Sequence, residues 1–314
     1  MSLSYSISEY IAKTRMSSKF RVLVEGADDR KHFKNLLHVK LPGKNIKIDT
    51  AEDIRGDCRL TGRNNKEKIL KVHRAVRGNT HHVKLFFLLD REFDGFDFNQ
   101  IIIDLKKDSL FSDNMSLTTG HSFENYFFYP DIIEDAYLYL CLSEFKRDAL
   151  QAFMSSLDEC FRILATISLS ANDIQKSTYP IGCIHWSDFK IENSLPVFYY
   201  QKWLEKNNNE AAFQFIERYI ANYELVKGSD LYDCIKVIRG HTGVIFIQRI
   251  FSAYLKLKAS KDRHANSDKH AEDFSKVNER GISAAFCEAW LRVIEKNEEV
   301  SYPEELIQSL SVGS

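Results

Sequence analysis

Carboxylates at the ends of two apolar runs are the residues best suited to chemistry in this sequence. The first run, Phe20-Arg21-Val22-Leu23-Val24, ends in Glu25-Gly26 and is followed by Asp28 and Asp29. The second, Lys84-Leu85-Phe86-Phe87-Leu88-Leu89, ends in Asp90-Arg91-Glu92, with Asp94 and Gly95 just beyond. Like charges packed together repel, so such a cluster needs a cation or raised pKa values. Oxygen-only ligands suit magnesium, and manganese can replace it. Side chains two apart on a strand point the same way. The spacing of Asp90 and Glu92 therefore predicts two carboxylates on one side, with Arg91 on the other. Glu25 joins them if the two strands are neighbours, sharing the ion or acting as general base or acid. The expected catalytic set is Glu25, Asp90 and Glu92, with Asp94 as a further metal ligand. Asp28 and Asp29 have a plainer reading as acidic residues at a helix start, where they complement the dipole.

Those carboxylates need elements to position them. Short, nearly continuous apolar runs read as strands buried on both faces, the parallel-sheet pattern. In open α/β sheets ligands bind just beyond the carboxyl ends of strands, where Glu25 and Asp90 fall. A leading helix is predicted over 6–16, with Ile7, Tyr10 and Ile11 on one face, then a strand over 20–24. A helix over 28–39 carries Phe33, Leu36 and Leu37, and a strand follows over 46–48, with Asp49, Glu52 and Asp53 beyond it. The polar stretch Gly56 to Lys66 leads into a helix bearing Ile69, Leu70, Val72 and Val76. Such a loop either holds a phosphate or is an ordinary turn and cap. His81-His82 precedes the third strand, at the end away from Asp90. The segment 96–113 reads equally as strand or buried helix, and Met115 to Thr118 reads as a further strand. The first 125 residues thus alternate strand and helix, which predicts a parallel α/β layer.

From Glu124 onward aromatic residues and helical periodicity dominate. Amphipathic stripes run over 210–225, 242–257 and 282–294, the last carrying Phe286, Trp290 and Ile294. Each stripe is either core or, for one face, a surface for a partner or a second copy. Arg239-Gly240-His241-Thr242 reads as a helix entry capped by Thr242 or as a partner contact. The polar segment 258–281 is expected to be a mobile connector. The expected organisation is an α/β domain over 1–125 and a mainly helical domain over 126–314.

The motifs Val24-Glu25-Gly26-Ala27-Asp28-Asp29, Leu89-Asp90-Arg91-Glu92-Phe93 and Thr119-Gly120-His121-Ser122-Phe123-Glu124-Asn125-Tyr126 resemble the TOPRIM-like DUF4435 family. Glu92 stands where aspartate is usual in TOPRIM domains. Within that family the motifs are most similar to the nuclease effectors of PARIS anti-phage systems. The resemblance is specific over roughly the first 130 residues. It implies a TOPRIM-like sheet and a toxic, magnesium-dependent endoribonuclease acting on RNA, with tRNA as substrate class. It also implies an ABC-type ATPase partner that restrains the chain, and a homodimer on release. Arg30, Lys31, Arg63, Lys66 and His121 are the residues expected to contact nucleic acid, and Asp29 and Glu124 the ones expected to support the metal ligands. Two other readings are a DNA-nicking enzyme and a non-catalytic interaction module for an ATPase.

Composition bounds these readings. The 314 residues are 44% hydrophobic and 28% charged, enough for a sizeable core. The net charge of -1 leaves no global basic field, so nucleic acid must be met by a local patch. Six scattered cysteines without a Cys-x-x-Cys pair argue against zinc and against a disulfide framework. With no signal-peptide pattern at the N-terminus, a cytoplasmic location is expected. No P-loop is present, so ATP hydrolysis is left to a partner.

Overall fold

The computed structural model describes residues 4–296 and 300–312. Packing divides the chain into two compact units, and not by one cut near residue 125. The first comprises Met1–Arg91, Lys106–Phe123 and Ile294–Ser314; the second comprises Glu92–Leu105 and Glu124–Val293. Two segments thus depart from the expected boundary. No helix among the described residues is long and apolar enough to cross a membrane.

The first unit is a mixed α/β layer. In chain order it holds β1 (Tyr5–Ser6), α1 (Ile7–Arg15), β2 (Arg21–Val24), α2 (Ala27–Lys40), β3 (Lys47–Thr50), β4 (Ile54–Arg55), α3 (Asn65–Val76) and β5 (Leu85–Leu89). After β6 (Phe96–Asp97) and β7 (Ile103–Asp104), which belong to the other unit, come β8 (Phe111–Ser112) and β9 (Met115–Leu117). The main sheet has the order β3-β2-β5-β9-β8. β2 pairs in parallel with both β3 and β5, and β5 in parallel with β9. The β8–β9 pair is antiparallel, so the predicted parallel layer carries one antiparallel edge. Every residue of β2 and β5 is buried. Leu23, Leu85, Phe87 and Leu89 pack into a core with Tyr10, Ile69 and Val72, on α1 and α3. The alternate residues Val22, Val24, Phe86 and Leu88 are buried as well, so both faces are covered. Each such side chain stabilises the fold by roughly 1.5–3 kcal/mol. The C-terminal helix, Glu304–Val312, packs on β9 and buries Leu306, Ile307 and Leu310.

The second unit is mainly helical. It contains α4 (Pro130–Leu140), α5 (Lys146–Met154), α6 (Leu157–Asp173), α7 (Tyr179–Cys183), α8 (Tyr200–Lys206), α9 (Glu210–Lys227), α10 (Leu231–Lys236), α11 (Gly240–Ala259), α12 (Ser267–Ser275) and, as far as Val293, α13 (Glu279–Lys296). The stretch 179–188, which has no assignment from sequence, forms α7 and a short turn leading into an antiparallel hairpin, Phe189–Glu192 with Leu195–Phe198. α12 occupies the segment expected to be a mobile connector; it has few apolar residues but buries Ala271 and Phe274. The β6–β7 hairpin joins this unit through Ile102 N donating to Ser229 Oγ (2.8 Å) and through a buried ion pair, Lys236 Nζ to Asp104 Oδ2 (2.7 Å). Tyr137 is fully buried among Phe153, Phe251, Phe274 and Phe286. Trp290 is likewise fully buried against Tyr126 and Phe127, so the α13 stripe is core.

Candidate active site

Glu25 and Asp90 each lie one residue beyond a strand, and the register Leu23↔Phe87 sets those strand ends side by side. The backbone N–H of Asp90 donates to Glu25 Oε1 at 3.1 Å. Glu25 is therefore held by the neighbouring strand end, and both carboxylates are half-buried. Gly26 follows. A side chain there would begin 3.5 Å from Asp29 Oδ2 and 3.5 Å from Glu52 Oε1. Two further carboxylates thus flank the backbone at 26. Asp29 performs the helix-start role as well, since its Oδ2 accepts from Gly26 N at 2.9 Å.

The start of α3 lies against the same edge. Asn64 caps the helix by accepting from Glu67 N. Asn65 Nδ2 donates to the Glu25 carbonyl at 3.2 Å, and Lys66 Nζ to the Arg91 carbonyl at 3.4 Å. Lys68 is buried, and its ammonium donates to Ala51 O and Asn65 Oδ1, each at 3.0 Å. Burial pulls its pKa below the usual lysine value, against the opposite pull of Glu52. Asn65 and Lys68 are members of this edge that sequence reasoning does not single out, and Glu52 was noted beyond the strand without a role. Glu52 offers a signal, because it follows β3 much as Glu25 follows β2. Asn65 and Lys68 offer none, since polar residues at a helix start read as caps.

Several expected residues stand elsewhere. β5 ends at Leu89, and Glu92 adopts a left-handed backbone with φ of 56°. Strand alternation therefore does not carry Asp90 and Glu92 to one side, because the chain has already left the sheet. Glu92 and Asp94 are exposed and belong to the second unit. His121 is buried, which removes it from the surface set expected to meet nucleic acid. The Gly56–Lys66 loop is a self-bonded turn: the Thr61 hydroxyl accepts from Asp57 N and Cys58 N and donates to Asp57 Oδ1. Arg63 is exposed on it, as are Arg30 and Lys31 on α2. Arg30 lines a cavity of about 270 Å³ together with Lys13, Lys47 and Tyr5. Glu124 is buried and stands 3.7 Å from His241 Nε2 in the second unit. Asn125 beside it donates to the carbonyls of Ile235 (2.7 Å) and Ile238 (3.0 Å), so it secures the turn between α10 and α11. His82 lies at the start of β5 with its Nδ1 bonded to Thr14 Oγ1, at the end away from Asp90, as expected.

Among the described residues no three His, Cys, Asp or Glu side chains form a ready-made metal cluster. The donors at the sheet edge are nonetheless all oxygen. They fit a hard cation bound through one or two carboxylates with water completing the shell, which is how magnesium is commonly held. No protein-family model matches this sequence, and no curated protein matches it.

Proposed function

We propose that the chain is a metal-dependent nuclease of the TOPRIM-like DUF4435 kind, whose acidic sheet edge cleaves RNA, with tRNA as the substrate class. The single observation that supports this most is the parallel pairing of β2 with β5, with the Asp90 N–H held on Glu25 Oε1. Magnesium, or manganese in its place, would be held by Glu25 and Asp90 and would supply charge stabilisation at the scissile phosphate. Glu25, fixed by β5, is also the group placed to accept or return a proton at the attacking or leaving oxygen. Gly26 keeps this edge low, with no side chain between Glu25 and the Asp29 and Glu52 carboxylates. The exposed cations Arg30, Lys31 and Arg63 of the first unit would supply the local positive charge that the whole-chain charge lacks.

The resemblance extends the proposal to biology: a defence effector restrained by an ABC-type ATPase and dimeric when released. Because Trp290 is core, it is not a docking residue; Tyr139 and Leu142, 78% and 96% exposed, are the most exposed large apolar side chains of the second unit. Leu142 borders a cavity of about 590 Å³ there. The test is to incubate purified protein with total RNA and with plasmid DNA, in magnesium, manganese or chelator. RNA cleavage that requires the metal supports the proposal. Nicking of the plasmid alone would make the enzyme a DNA nuclease. No cleavage of either would leave an interaction module.

A further inference from the structure

The first two turns of α3 tie three strand ends together. A run of hydrogen bonds passes from Ala51, just after β3, through Lys68 Nζ to Asn65 Oδ1. It continues from Asn65 Nδ2 to the carbonyl of Glu25, just after β2. The Glu25 carboxylate then receives the N–H of Asp90, just after β5. Both ends of the Asn65 amide are used, which fixes its orientation: oxygen toward the ammonium, nitrogen toward the carbonyl. We propose that Asn65 and Lys68 are positioning residues that hold Glu25 in the geometry required to bind the divalent cation. This rests on the metal-site reading above.

Stability alone gives a poor account of Lys68. A buried ammonium is costly, and an apolar side chain of similar shape is often as stable or more so. Charge balance alone also gives a poor account. A fixed cation beside Glu52 opposes a second cation at the same edge, so Lys68 should hinder metal binding unless it contributes geometry. Asn65 holds the main chain of Glu25 rather than its carboxylate, and Lys68 holds Asn65; loss of hydrogen bonds that orient metal ligands typically costs about 10–100-fold in affinity or activity.

The two roles predict opposite signs, which makes the experiment decisive. The full chain and its Asn65→Ala, Lys68→Met and Glu25→Gln variants would be titrated with manganese, following free Mn2+ by electron paramagnetic resonance without nucleic acid. Thermal midpoints, kcat and KM for RNA would be measured alongside. The proposal expects Asn65→Ala and Lys68→Met each to weaken Mn2+ binding about tenfold. It expects kcat to fall with KM nearly unchanged. For Lys68→Met this loss would occur although a positive charge has been removed. Tighter or unchanged Mn2+ binding in Lys68→Met would show a charge-balancing or structural role and overturn the proposal. Should Lys68→Met not fold, Asn65→Ala carries the test with the same expected loss, and unchanged binding in it overturns the proposal. If binding in the parent depends on Glu25 but not on Asn65, the positioning role alone fails. If binding does not depend on Glu25, the metal site fails and the positioning role with it.

Discussion

Glu92 is held in a left-handed backbone with φ of 56°, a conformation that costs a non-glycine residue on the order of 1 kcal/mol or more. Gly95, three residues on, adopts φ of 76° at no such cost. Glu92→Gly is therefore expected to raise the unfolding free energy by roughly 0.5–1 kcal/mol, after allowing for the added backbone freedom of glycine. Denaturant unfolding measures this. Because Glu92 lies in the second unit, outside the proposed site, the same variant is expected to keep RNA cleavage; loss of cleavage in a folded variant would return Glu92 to the chemistry. Glu25 and Asp90 were legible in the sequence because an apolar run that ends in an acid marks a strand end. Glu92 was misplaced because strand alternation was extended two residues too far. His121 read as a loop residue free to meet phosphate, yet it is buried.

At the scale of elements, the parallel strands were legible because residues buried on both faces leave no polar alternation to misread. That β2 and β5 are neighbours was left open by the sequence and is given by their parallel register. α12 was hidden, since a nine-residue helix burying Ala271 and Phe274 shows almost no apolar stripe. The aromatic core around α4 contains its own test. The Tyr137 hydroxyl is buried with no hydrogen-bond partner among the described residues, and burial raises its pKa well above the usual tyrosine value. Tyr137→Phe is therefore expected to stabilise the chain by about 1 kcal/mol, because an unsatisfied buried hydroxyl carries a penalty of that order. A lower thermal midpoint would mean that the hydroxyl has an unrecognised role. The β6–β7 hairpin tests the opposite case. Lys236→Met leaves Asp104 buried without its ammonium partner and is expected to cost roughly 3–5 kcal/mol. The double variant Lys236→Met/Asp104→Leu should recover much of that loss, and the denaturant midpoints of the three proteins decide it.

At the scale of the molecule, the boundary near residue 125 marks a real change from α/β to helical character, but two segments cross it. Residues 92–105 join the helical unit and 294–314 return to the α/β unit. Neither exchange was legible, because each depends on contacts between residues far apart in sequence. A fragment of residues 1–125 lacks the Leu306, Ile307 and Leu310 side chains that the C-terminal helix buries, and is expected to be unstable alone. A cooperative thermal transition in that fragment, matching the parent, would contradict this division. For the central claim, the most direct measurement is magnesium-dependent cleavage of total RNA by the parent chain, Glu25→Gln and Asp90→Asn, with thermal midpoints taken in parallel. A neutral amide removes the charge with little change of shape, so both variants should fold as the parent does and lose cleavage by several hundredfold or more, roughly the scale of losing a main electrostatic group. Cleavage that survives both substitutions, or persists in chelator, would contradict the assignment of the β2–β5 edge as the active site.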